Sequence, residues 1–352
     1  MIGSFFGLAL SLFIFLTLFQ GYTQASFNEL FSDTSLTQTD EQLLTLRLEL
    51  PIRSLRKETN DSTYMSGTLY YKLNSKWDSV PVELRTRGKF RLKMCIFPPI
   101  KLKFSKEDIK GTIFEGNEKI KLVVPCEQED TKNDYILNEF IAYKIFEPIT
   151  PYHFKTRLAN LEWAQKKSKK RDKGFELKCI LLEEIDNLAE RVDGKEYDHW
   201  IHPMTLDTLN AIRNAFFQYM IGNKDYSVVL GHNRKALYID NKFVTVPYDF
   251  DMSGIVNADY GKSSDVQDLS LGDDSTTRIY REFPRQKILI QQIRQEYLRN
   301  KPVILNTMDK CEKYFDNKYE FDRAKTYVLR FYQILEDDKA FYKQFIKRSK
   351  SG

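Results

Sequence analysis

Between residues 44 and 50 the chain alternates Leu44, Leu46, Leu48 and Leu50 with Thr45, Arg47 and Glu49. A period of two with one apolar face predicts a half-buried strand. Similar stretches follow at Gly67 to Leu73, Val80 to Gly88 and Pro99 to Phe104, with a shorter one ending at Pro125. The N-terminal third therefore reads as a mainly antiparallel sheet. The period then lengthens. Ile136, Leu137, Phe140, Ile141 and Ile145 recur at helical spacing. Glu139 stands among these apolar residues, either exposed at the helix edge or buried with a cation or hydrogen-bond partner. Two further strands, around "FKTRLANLEW" and "FELKCILLEEID", flank a basic run from Lys166 to Lys173. That run reads as a charged hairpin tip, with a polyanion site as the other reading.

The second half is mostly helical in pattern. "TLDTLNAIRNAFFQYMIGN" carries Leu206, Leu209, Ile212, Phe216 and Met220 on one face, and Gly222 is placed to cap it. A polar loop holding Asp225, His232 and Asn233 follows. "RKALYI" and "KFVTVP" then flank Asp240-Asn241, a dipeptide suited to a two-residue hairpin turn. That turn sets Leu237 opposite Val244 and Asn233 opposite Tyr248, so Asn233 and Asp249 share one end of the hairpin, about 5 to 8 Å apart. Asp225, just past the helix, is expected at the same end. Both hairpin faces are largely apolar, so polar groups gather at the mouth of a packed element.

Composition narrows the classes. Of 352 residues 42% are hydrophobic and 29% charged, a globular balance, and the net charge of +5 is too mild to imply a nucleic-acid binder. The first charged side chain is Glu29, and an apolar run from Phe5 to Phe19 precedes small residues at Thr23 and Ala25. It is short for a membrane span of about 20 residues and reads as a secretory signal peptide cut after Ala25, an uncleaved anchor being the alternative. No other stretch reaches membrane length. The four cysteines show no CxxC spacing. In an oxidising compartment Cys95 and Cys126 are able to pair, and four buried thiols are the other reading.

An Asp, an Asn and two further Asp residues at one hairpin mouth make an oxygen-only donor set suited to Mg²⁺ or Mn²⁺. An Asp off the metal would be free to accept a hydroxyl proton. Asn and Asp also serve plain turns, but Asp249 and Asp251 follow an apolar strand directly.

The order helix, Asp, Asn, hairpin, Asp is how protein kinases build their catalytic loop and metal-binding Asp. Here there is no His-Arg-Asp, the Asp-to-Asn interval is longer, and no G-x-G-x-x-G loop occurs. The segments Gly222-Asn223-Lys224-Asp225, Asn233 and Pro247-Tyr248-Asp249-Phe250-Asp251 resemble those of the CotH family of exported atypical kinases. "ELRTRGKFRLKMCIFPPIKLKF" resembles that family's Arg-Gly element and basic strand, and "GFELKCILLEEIDNLAERV" its strand-to-linker segment. The resemblance runs from about Val80 to Asp251; Tyr248 stands where the family usually has Trp.

The resemblance implies an α+β, protein-kinase-like bilobal fold: an N-terminal antiparallel sheet with one helix, and a mostly helical C-terminal lobe. Residues 1–25 would be the signal peptide, 26–190 the sheet-rich lobe, and 191–352 the helical lobe with its hairpin at 225–251. It implies an exported kinase that moves phosphate from ATP, with Mg²⁺ or Mn²⁺, to a protein Ser or Thr or a small hydroxyl acceptor. Asp225 would be the catalytic base, and Asn233 with Asp249 or Asp251 the metal ligands. Lys101 or Lys103 would reach the nucleotide phosphates and pair with Glu139. Arg87 and Gly88 would approach the phosphates, and Glu183 or Glu184 would lie by the adenine. Two other classes remain: a secreted kinase-like binding scaffold without turnover, and a nucleotide-sugar transferase suggested by the D-x-D pair Asp249 and Asp251.

Overall fold

Seven strands close into a barrel: β1 (Leu44–Glu49), β2 (Met65–Leu73), β3 (Lys76–Thr86), β4 (Ile100–Lys103), β5 (Lys119–Val123), β7 (Lys173–Leu182) and β6 (Thr156–Gln165), in that spatial order. The structure is a computed structural model describing residues 29–31, 43–73, 75–88, 90–127, 130–165, 173–259 and 276–347. The signal-peptide reading at residues 1–25 and most of the basic run after Gln165 lie outside the described residues. Among the described residues no helix is long and apolar enough to cross a membrane.

The barrel corrects the expected fold. An open antiparallel sheet in a kinase-like bilobal fold was the expectation; the sheet is instead closed and mixed, because β1 runs parallel to β6 from Leu44 opposite Ala159 to Glu49 opposite Ala164. Every other pairing in the barrel is antiparallel. Alternation along β1 places Leu44, Leu46 and Leu48 in the interior, where they meet Leu69, Leu84, Leu102 and Trp163 in one core. The same alternation suits an open edge and a closed seam, so it predicted the strand and not its second partner.

The helix α1 (Ile52–Glu58) follows β1, and Trp163 Nε1 donates to the Leu50 carbonyl at 2.9 Å at that junction. A short helix α2 (Phe90–Met94) leads from β3 into β4. The helix α3 (Asp130–Phe146) is buried on every side from Ile136 to Phe146. A helix buried all round needs cover on all sides. Here β7 lies on one flank and α6 (Lys287–Cys311) with α7 (Lys318–Glu336) on another.

The remaining elements are α4 (Ile185–Arg191), β8 (Lys195–Glu196), α5 (Thr208–Ile221), β9 (Arg234–Ile239) and β10 (Lys242–Pro247), with β8, β9 and β10 forming a small sheet. The hairpin register is Leu237 opposite Val244, as its turn residues predict. Asp240 and Asn241 both take positive φ, 48° and 62°, as a primed turn requires. Helix α5 is tied to β10 by buried amides. Asn210 Oδ1 accepts from Thr245 N at 2.7 Å, and Asn214 Nδ2 donates to the Thr245 carbonyl at 2.8 Å. These bonds fix where the helix ends relative to where the hairpin ends.

Candidate functional site

The C-terminus of α5 and the mouth of the hairpin meet. Asp207 caps the start of α5 by accepting from Asn210 N, and Gly222 ends it in the left-handed region at φ 66°. A Cβ at Gly222 would lie 1.9 Å from Tyr327 Oη, so both conformation and space call for glycine. Asn223 then forms an Asx turn, its Oδ1 accepting from Asp225 N at 2.9 Å, which turns Asp225 toward the hairpin.

Asn233 Nδ2 donates to Asp225 Oδ2 and to the Asp225 carbonyl, each at 2.8 Å. His232 Nε2 lies 3.2 Å from the same Asp225 oxygen and donates in the tautomer that carries its proton there. Across the hairpin, Tyr248 N donates to the Asn233 carbonyl at 3.2 Å. Asn233 and Asp249 hold φ of 54° and 64°, a region that costs side-chain-bearing residues about 1 kcal/mol or more each. Asn and Asp are the side-chain-bearing residues that adopt this region most readily, which suits both positions.

After Asp249 the chain turns back. Gly254 N and Ile255 N donate to the carbonyls of Gly222 and Ile221 at 3.0 and 2.9 Å, closing the loop onto α5. Phe250 is the anchor, with its ring 4.5 Å from Tyr143 and 5.2 Å from Phe217. Asp249 and Asp251 therefore flank a buried aromatic in a turn directly after β10. Asp249 N donates to Tyr143 Oη at 3.0 Å.

Asp225, Asn233, Asp249 and Asp251 line one cleft of about 280 Å³, with Arg87, Gly88 and Arg91 opposite. Asp251 is nearly buried, and burial, then the charge of Asp249, pushes its carboxyl up to about 7 against the pull of Arg91. Arg91 Nε stands 3.9 Å from Asp251 Oδ2. Behind them, Glu139 is 2% exposed. Burial, with repulsion from Asp251 and Asp249, raises it well above the usual carboxylate range, while Arg91 and Arg87 oppose the rise.

The lysines expected on Glu139 are elsewhere. Lys103 pairs with Glu83 at 2.6 Å on the barrel surface, and Lys101 pairs with Glu184 at 2.8 Å. Lys121, directly opposite Lys101 in the β4–β5 ladder, reaches the second Glu184 oxygen at 3.2 Å. The cations whose charge acts on Glu139 are Arg91 and Arg87, while Lys101 and Lys121 are taken up by Glu184 just before α4. Burial lowers Lys121 to about 8, and its ammonium lies 5.3 Å from the Phe154 ring centre. Burial works against Glu184, yet Lys121 and Lys101 outweigh it and hold the carboxyl below its usual value. Glu183 faces another way, accepting from Lys155 N at 2.8 Å and from Arg191 Nη2 at 3.0 Å.

Arg91, Tyr143, His232 and Lys121 were given no role by sequence reasoning. Arg91 had a visible signal, since it lies inside the basic segment after Arg87-Gly88. Lys121 had none beyond its place in a strand.

Among the described residues, no group of three or more His, Cys, Asp and Glu side chains forms a metal-ligand set by itself. A hard divalent ion at this cleft would therefore complete its shell with the Asn233 amide oxygen, water or substrate oxygens, the usual habit of Mg²⁺. The oxygen-only donors and the crowding that raises Asp251 fit such an ion. No family model matches this chain, and no curated protein matches it.

Proposed function

We propose that the chain is a metal-dependent phosphotransferase that moves the terminal phosphoryl group of ATP to a hydroxyl acceptor on a protein or small molecule. One observation carries the reading: Asp225, braced by Asn233, shares a cleft with Asp249 and Asp251 beneath two arginines. The motif order resembles that of exported CotH-like kinases, which supports the same chemistry, and the apolar N-terminal run supports export.

Asp225 is the acceptor-side base. Its Oδ2 already accepts two hydrogen bonds, which fix its orientation in the cleft. Arg87 supplies positive charge for the anionic donor. Asp249, Asp251 and the Asn233 oxygen would hold Mg²⁺ or Mn²⁺, which on binding neutralises phosphate charge. Lys101 and Lys121, locked on Glu184, form a second basic patch whose charge reaches Arg87.

Thermal unfolding of the full chain with and without ATP and Mn²⁺ tests this. A ligand bound only by the folded state adds about 2.7 kcal/mol at a hundredfold excess over its dissociation constant. A metal-dependent rise in Tm that disappears in Asp249→Ala/Asp251→Ala is the expected result. No rise with any nucleotide overturns the reading and leaves a binding scaffold.

A further inference from the structure

Arg91 does not reach the cleft from a strand or a long helix. It rides on α2, five residues from Phe90 to Met94. Isolated helices of this length are unstable in water, so something outside α2 must hold it. Three sets of contacts do. Cys95, whose N–H donates to the Arg91 carbonyl at 2.9 Å, is disulfide-bonded to Cys126 just beyond β5. Ile96 N and Phe97 N donate to the Cys126 carbonyl at 2.9 and 3.3 Å. Arg56 on α1 donates to the carbonyls of Leu92 and Cys95.

The far side of α2 faces the acids. Arg91 Nη2 donates to the Val124 carbonyl, two residues from Cys126, and Nε stands beside Asp251. Val123 lines the same cleft. The disulfide thus ties together the two segments between which Arg91 is gripped. One turn of helix separates the covalent bond from the cation.

We infer that the Cys95–Cys126 disulfide is a clasp that holds Arg91 beside Asp251, so that the acid wall of the cleft depends on the bond being intact. Arg91 is a positioning residue here: it acts by keeping Asp251 in its buried turn. Opening the clasp requires a dithiol, whose two electrons and two protons convert the S–S bond to two thiols while the dithiol leaves as its own disulfide. The buried Cys179 and Cys311 take no part; burial raises both thiols and removes the thiolate that exchange needs. The inference rests on the cleft being the functional site proposed above.

Hydrogen exchange on the full chain, oxidised and after dithiothreitol treatment, tests the clasp without any substrate. The expected result is about tenfold faster exchange in peptides covering residues 90–96 and 249–253, with β1 and β6 unchanged. Arg91→Gln should reproduce the change at 249–253 in the oxidised chain, and Arg91→Lys should restore most of the protection there. Faster exchange at 90–96 alone, or no change at either segment, overturns the inference. Uniform loosening of the barrel also overturns it, because the bond would then be a general staple. Cys95→Ser/Cys126→Ser provides a second route to the open state. ATP binding in the presence of Mn²⁺ is measured in parallel. If the oxidised chain binds none, the phosphotransferase reading fails while the exchange data still decide the clasp.

Discussion

Asn233 donates one side-chain amide group to both the carboxylate and the carbonyl of Asp225, at 2.8 Å in each case. Such a double grip fixes the carboxylate relative to its own backbone. Replacing Asp225 by Asn removes the base and keeps the size, and is expected to lower phosphoryl transfer by roughly 10²- to 10⁴-fold. ADP release alongside a nucleotide-binding titration checks this, since binding should survive. Equal loss of both would show that Asp225 only builds the loop.

Asp251 gives a pH signature in the ligand-free chain. Its folded value, raised to about 7 by burial and by Asp249, lies above the ordinary carboxylate value of 3.8. A raised carboxyl contributes stability that is whole below pH about 4 and is lost as pH rises through about 7. Unfolding free energies from denaturant titrations should therefore fall across that window by on the order of a few kcal/mol, and Asp251→Asn should flatten the slope. A slope unchanged in the variant would assign the titration elsewhere.

Glu184 holds two lysines at once. Glu184→Gln leaves Lys121 buried without its counter-charge and should cost about 2–3 kcal/mol, reduced by the partial solvation of Lys101. Urea unfolding measures the loss. The Lys121 ammonium should also titrate lower than about 8, observable by amine NMR.

Gly222→Ala should destabilise by about 2 kcal/mol or more, because the left-handed backbone and the Tyr327 hydroxyl both resist a methyl group. Tyr327→Phe costs the hydrogen bond from Tyr327 Oη to the Thr276 carbonyl. In the alanine background the same change removes the clashing oxygen. The two substitutions should therefore be less damaging together than their sum, and a double-mutant cycle reads the coupling.

The hairpin was legible because its information is local. Asp240-Asn241 fixed the turn, the turn fixed the register, and the register put Asn233 beside Tyr248. The cap at Gly222 was legible for the same reason. Barrel closure was not, since the pairing of Leu46 with Leu161 depends on partners remote in sequence, and alternation alone never names them. The lysine–glutamate pairing failed for a related reason. Lys101 shares a strand face with Lys103, yet one meets Glu184 and the other Glu83 at the surface, partners that strand periodicity does not name. Arg91 reaches the cleft through a short helix with too few residues to show a period.

The parallel seam between β1 and β6 also sets an order of events during synthesis. Arg47 and Glu162, paired across the seam at 2.6 Å, are 115 residues apart in the chain. The first strand can pair with β2 soon after both emerge, yet one of its edges stays open until β6 has been made. Throughout that interval its backbone donors and acceptors are available to any other extended polypeptide nearby. The native partner must then arrive by closing a very long loop, which makes this step slow. A chaperone that shields the leucine-rich segment from residue 44 to 50 would be most useful in that interval, and unnecessary once the seam is made.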